Sequence, residues 1–341
     1  MRTKSKTAPG SASPRANYPM TRREALVTGA ALLAPALVRC RLARPDASRS
    51  IAVDDGFARL ALKAKDRDDA DLRSRLLSHP ALHAMARHQR MAGSANAAPA
   101  AVLDRVLAEV RRTRPGPRVL EAWAGRYGDL GRHVVAAEAL LPPGTRFGGT
   151  VFLVAGYDLG VAAPPDLLLN VAHPHFLADP RELGFYATHE AHHAGFLSLR
   201  PPPALRDLQD PARLREIVAY FTQLEGLGVH AAYALRKRQG ALGADADYQV
   251  YTDPAAARRA TARYAELRAR IAGTQRLPDA EVGAVLEAMS SGERIWYRFG
   301  AQVAAAIERD QGRAALVDAI VHKARFQAAA ESLLRDRRLR A

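Results

Sequence analysis

The 341-residue chain is predicted to fold as a mostly helical α+β protein with one small sheet near its middle. Three observations carry this. Apolar residues recur at helical spacing from about 51 to 142, two short β-rich runs interrupt that period, and from about 180 the helical period returns to the end. The composition is that of an ordinary globular protein, 48% hydrophobic and 25% charged, and abundant alanine with only 6% aromatics favours helix. Wholesale disorder, a collagen-like repeat and a polytopic membrane protein are excluded.

Residues 1–19 are polar and rich in Ser, Pro, Lys and Arg. Thr21-Arg22-Arg23-Glu24-Ala25-Leu26 then opens an uncharged stretch from Ala25 to Val38, too short to span a bilayer. This order resembles a twin-arginine export signal, so residues 1–45 are expected to be a leader, with Met20 as a possible true start and cleavage within 38–50. The competing reading of that stretch is a short buried helix. Cys40 follows Leu37-Val38-Arg39, and Arg39 is a poor fit where a lipid-anchoring site wants small residues. As the single cysteine, Cys40 excludes an internal disulfide framework and any Cys-based zinc site, so a metal here must be held by His and carboxylates.

The net charge of +15 is unevenly placed. Residues 1–50 hold ten Lys/Arg against Glu24 and Asp46, so more than half the excess lies in the leader. The rest is scattered, with no basic block interleaved with aromatics and no zinc-finger spacing, so a nucleic-acid partner is not expected.

In the first helical region Val102, Leu103, Val106, Leu107 and Val110 follow the i, i+3/i+4 rule. A second helix is predicted over about 119–141 through Leu120, Trp123, Tyr127, Leu130, Val134 and Leu141, ended by Pro142-Pro143-Gly144. Thr150–Val154 and Asp166–Val171 read as strands, joined by a loop containing Gly156, Gly160 and Pro164-Pro165. The expected organisation is a leader (1–45), a helical region (46–142) and a catalytic unit (143–341), the last two packed together.

The chemistry follows the second strand. Asp179-Pro180-Arg181-Glu182 reads as a helix start with Asp179 as cap and Glu182 completing a capping box. His189-Glu190-Ala191-His192-His193 comes next, and Gly195 is the expected helix end. His189 and His193, at i and i+4, share a face and can bind one zinc ion. Glu190, about 100° round, can take a proton from the water that the ion activates. His192, at i+3, is a rival ligand or a packing residue.

A third ligand is sought on the helix expected over 212–236. At 100° per residue, Glu225 points with Leu214, Val218 and Phe221, whereas Glu216 faces solvent. A carboxylate on an apolar face needs a partner, which zinc or an arginine could supply. Gly226 and Gly228 would let this helix approach the histidine helix closely.

His189-Glu190-x-x-His193 with a downstream helical glutamate resembles the gluzincin class of zinc peptidases, and more closely uncharacterised bacterial zinc-dependent peptidase families. Those families carry a Glu-Gly-x-small motif, here Glu225-Gly226-Leu227-Gly228, often with Ala where Gly228 stands. They also carry a terminal Tyr-x-x-Gly helix, here Tyr297-Arg298-Phe299-Gly300, followed by Ile307-Glu308, Gly312 and Leu316. The resemblance covers about 147–330. It implies a zincin-type helix after a central sheet, Zn²⁺ on His189, His193 and Glu225, and Glu190 as general base. It also implies an oxyanion-stabilising side chain, Tyr297 first and His230 second, although core packing beside Trp296 is the plainer role for Tyr297. A strand that pairs with an extended substrate is expected at 150–155 or 166–172. His173-Pro174-His175 reads as an exposed loop or a cleft lining, and His79, His83 and His88 lack the carboxylate a second metal site would need.

The expected function is therefore an exported zinc metallopeptidase acting on a peptide or protein, with no transmembrane span. The alternatives are a non-catalytic zinc-binding protein, and a basic helical protein binding anionic polymer or a membrane surface.

Overall fold

The computed structural model describes residues 50–336 apart from 68, 117–118, 122 and 124–126. The leader expected over 1–45, and Cys40 with it, lies outside the described residues. The fold is mostly helical with a four-stranded mixed sheet, as the sequence predicts. No helix of the described residues is long and apolar enough to cross a membrane.

The sheet order is β1 (Ala52–Asp54), β2 (Thr150–Val154), β4 (Asp166–Asn170) and β3 (Gly160–Ala163). β1, β2 and β4 are parallel, and β3 runs antiparallel to β4. Both faces are covered, so β2 and β4 read as continuous apolar runs rather than alternating ones. Val151, Leu153, Leu167 and Leu169 enter the larger core with α5 (Tyr127–Glu138) and α7 (Glu182–Leu199). Phe152, Val154 and Leu168 enter a second core under α1 (Gly56–Ala64), α2 (Ala70–Ser78), α3 (Pro80–Met91) and α4 (Pro99–Thr113). The helical N-terminal region thus covers one face of the sheet and adds a strand to it.

Four sequence expectations change. The stretch 156–165 is not all loop, since Gly160–Ala163 within it forms β3. Segments 150–155 and 166–172 are not edges, because β2 and β4 each have neighbours on both sides, and the edge at the helix-bearing end is β3. Of the helix expected over 119–141, α5 spans Tyr127–Glu138, and described residues before it form turns at Val119 and Trp123, whose side chains are buried. Finally, α7 begins at Glu182 without a capping box. Asp179 accepts from the Arg181 N–H at 3.0 Å, while Glu182 turns inward to Arg236.

Gly195 does not end α7 either. A Cβ there would meet Leu141 Cδ2 at 3.0 Å, so Gly195 makes room for the segment that follows α5. The helix runs on to Leu199 and stops before Arg200-Pro201, where the residue preceding proline is driven out of the helical region. After α6 (Pro174–Ala178) and α7 comes α8 (Pro211–Arg238), then α9 (Pro254–Arg270), α10 (Asp279–Ser290), α11 (Ile295–Gln311), α12 (Arg313–Val321) and α13 (Lys323–Arg335). At the crossing of α8 and α11, a Cβ on Gly226 would lie 2.6 Å from the Gly300 carbonyl oxygen, and one on Gly300 would lie 2.7 Å from Gly226 Cα. Two glycines therefore set the spacing of the helices that carry Glu225 and Tyr297.

Candidate metal centre and cleft

The two imidazoles of α7 and the carboxylate of α8 meet in the interior. His189 Nε2 lies 3.3 Å from Glu225 Oε2, and His193 Nε2 lies 3.4 Å from the same oxygen. Zinc bonds to these atoms run about 2.0–2.2 Å, and a tetrahedron built on them has edges of about 3.3–3.4 Å. The observed separations match that edge. Nε2 of His193 and Oε2 of Glu190 are buried and make no hydrogen bond, the state expected of atoms that face an ion or its water. Glycine also keeps the pocket open, since a Cβ on Gly228 would lie 2.6 Å from His193 Nε2 and 2.9 Å from His189 Nε2. The residues therefore fit a tetrahedral divalent metal. Among the described residues, no other group of His, Cys, Asp and Glu meets in this way.

Face geometry on α8 came out as expected. Glu225 is 1% exposed, whereas Glu216 is 52% exposed and paired with Arg213. Among the described residues, Glu225 Oε2 faces both histidines rather than an arginine. Arginine instead takes Glu182, whose carboxylate is held by both Nη groups of buried Arg236, with His175 Nε2 at 3.0 Å.

Electrostatics follow from burial. Burial pushes His189 down to about 3, with neighbouring His193 acting in the same direction. Burial also pulls on His193, but the carboxylates of Glu225 and Glu190 outweigh it and hold that ring above its usual value. Glu190 Oε2 lies 3.4 Å from His193 Nδ1. His192 turns the other way, is fully buried towards α5, and is pushed down to about 3 by burial against a weak opposing contact with the Leu140 carbonyl. It does not join the group formed by His189, His193 and Glu225.

The His189 ring is held between two tyrosines. Tyr297 stacks on it at 6.2 Å and 20°, and Tyr186 at 6.3 Å and 29°. Tyr186 was missed in the sequence, although it sits three residues before His189 and thus on the same helix face. Burial and the nearby Glu225 push the Tyr297 hydroxyl well above its usual range, so it stays protonated through neutral pH. His230, the second oxyanion candidate, is unavailable. Its Nε2 faces Glu308 at 2.7 Å and its Nδ1 faces the Tyr251 hydroxyl at 3.0 Å.

Tyr186, His189, Glu190, Glu225 and Tyr297 line a cleft of about 480 Å³. It opens at the carboxyl ends of β2 and β4, where open α/β sheets bind ligands. The β3 edge and His173 line it, and α4 supplies the opposite wall through Arg105, Val106 and Glu109. His173 thus belongs to the cleft and also caps α6, rather than sitting in an exposed loop. A Cβ on Gly160 would stand 3.5 Å from Glu190 Cγ, so the edge strand passes directly over α7.

No protein-family model, curated protein or solved structure matches the chain.

Proposed function

We propose that the chain is a zinc-dependent peptidase that hydrolyses an extended peptide lying along the cleft. One observation carries the reading: two imidazole nitrogens each within 3.4 Å of one carboxylate oxygen, beside a further carboxylate, with His189, Glu190 and Glu225 lining an open cleft. His189, His193 and Glu225 would hold the ion, which supplies Lewis acidity to the scissile carbonyl and to a water. Mixed nitrogen and oxygen ligation in a tetrahedral arrangement favours zinc over magnesium or calcium.

Glu190 takes the proton from the attacking water and delivers it to the leaving amine. Tyr297, protonated at neutral pH, is placed to donate to the developing oxyanion. The edge strand supports the peptide reading. Leu159 C=O accepts from Asn170 N–H at 2.9 Å, so by alternation Gly160 and Ala162 turn their backbone groups away from β4 and can pair with a substrate strand. The basic, twin-arginine-like leader fits a protein that is exported before it acts.

The test uses the full-length chain and three proteins: wild type, Glu190→Gln and Glu225→Ala. About one zinc per chain is expected in the first two and marked loss in the third. Cleavage of a peptide library is expected in wild type, with a loss of about 10²–10⁴-fold in Glu190→Gln. Zinc without cleavage would make this a non-catalytic zinc protein. No zinc in folded wild type would end the peptidase reading and favour a basic binding protein.

A further inference from the structure

Arg294 lines the cleft with part of its hydrogen-bonding capacity unused. It immediately precedes α11 and is left-handed, with φ 56° and ψ 43°, a costly conformation for a residue with a side chain. Gly292 is two residues away, yet the position that needs the conformational freedom carries an arginine. The side chain is fixed at two points. Its Nε donates to Asp247 Oδ2 at 2.6 Å, and its guanidinium carbon lies 3.6 Å from the centre of the Tyr297 ring. Neither Nη group makes a hydrogen bond to a described residue, and 34% of the side chain remains exposed on the cleft surface.

The acids around it do not consume those donors. Asp247 is buried, and its other oxygen accepts from Arg298 Nε at 3.2 Å. Asp245 caps the Asp247 N–H at 2.9 Å and faces Arg236 at 3.4 Å. Glu182 is committed to Arg236 and His175. Two parallel N–H donors on a fixed planar fork are the geometry that recognises a carboxylate in bidentate fashion. The path back to the metal ligands is short. Arg294 stacks on Tyr297, and Tyr297 stacks on His189. With about 3.3 Å per extended residue, a group held by Arg294 lies within about five residues of the scissile bond.

We infer that Arg294 forms a carboxylate subsite, so that the substrates of this cleft carry either a free C-terminus or an Asp or Glu side chain close to the cleaved bond. The inference rests on the peptidase reading for its substrate class, and the test separates the two. Zinc-loaded, full-length Glu190→Gln protein is incubated with N-acetylated hexapeptide pools, and captured peptides are identified by mass spectrometry. The pools are made with C-terminal acid or amide, and with Asp/Glu or Asn/Gln in the sequence.

Capture of acid over amide by tenfold or more identifies the α-carboxylate as the ligand. The same preference for Asp/Glu over Asn/Gln identifies the side chain. In either case the preference is expected to vanish when Arg294→Gln is added, with zinc content unchanged. Should Arg294→Gln not fold, Arg294→Lys replaces it. This keeps the charge beside Asp247 but removes the fork, so the preference is expected to fall at least fivefold. The inference is overturned by equal capture of all pools, by no capture at all, or by a preference that survives both substitutions. Carboxylate-selective capture, together with failure of wild type to cleave any captured peptide, would overturn the peptidase reading and leave the subsite standing.

Discussion

Replacing Gly226 with alanine sets two effects against each other. Helix propensity alone favours alanine in a helix interior by about 0.5–1 kcal/mol. Packing opposes it, because the new Cβ would lie 2.6 Å from the Gly300 carbonyl oxygen, about 1 Å inside ordinary contact. The obstacle is backbone and cannot rotate away, so α8 and α11 must part. Overpacking of this kind costs about 1–3 kcal/mol, and a backbone-on-backbone clash belongs at the upper end. Packing therefore wins, leaving a net loss of about 2 kcal/mol, or about 3 °C in Tm for a fold of this size. Glu225 adjoins Gly226, and metal ligation tolerates only about 0.2 Å of misplacement, so zinc affinity should fall by at least about tenfold. The assay is thermal unfolding with and without zinc, plus zinc titration against a competing chelator. Gly300→Ala should behave alike. The double variant should cost less than the two singles together, because the first methyl has already separated the helices. A Gly226→Ala protein with wild-type Tm and wild-type zinc affinity would refute the close-crossing argument.

Other expectations are as direct. Glu182→Gln weakens the partner of a fully buried guanidinium and should destabilise by about 3 kcal/mol in chemical denaturation, whereas Arg236→Met with Glu182→Leu together should cost less than either single change. Tyr297→Phe should leave zinc stoichiometry unchanged and lower kcat with little change in KM, as expected of a donor acting on the oxyanion. Glu308 gives a pH prediction. Its hydrogen bond to His230 holds the carboxyl at about 2, so it adds stability above its unfolded value near 4.5 and loses that contribution as pH falls towards 2. Urea unfolding of Glu308→Gln should therefore differ from wild type at pH 6, by about 1 kcal/mol after allowing for solvent screening, and converge with it below pH 2.

Much of the site was legible because it is local. His189, Glu190 and His193 share one helix turn, and the inward direction of Glu225 follows from its angle to Leu214, Val218 and Phe221. Distance in the chain hid the rest. β1 is three residues long, and its partner β2 lies about a hundred residues on, so no local pattern marks it. β3 is Gly-Val-Ala-Ala between turn residues, and it becomes a strand only because β4 offers it an edge. Glu182 looked like a cap because the signature is local, while the stronger attraction, Arg236 on α8, is tertiary. Arg294 carries no local signal at all. It is one of many arginines until the turn before α11 points it into the cleft.

The three residues of β1 have a consequence for handling the protein. The sheet has two rims, and the one beside the cleft is the rim proposed to receive substrate. The far rim is closed only by Ala52–Asp54, short and ending in a carboxylate that accepts from the Gly56 N–H. A chain trimmed past Asp54 would replace that blunt rim with Thr150–Val154, longer and almost wholly apolar. Such a protein would keep every ligand yet expose a sticky strand, and its fault would be self-association rather than a damaged centre. A preparation meant to remove the leader should therefore stop short of Ile51.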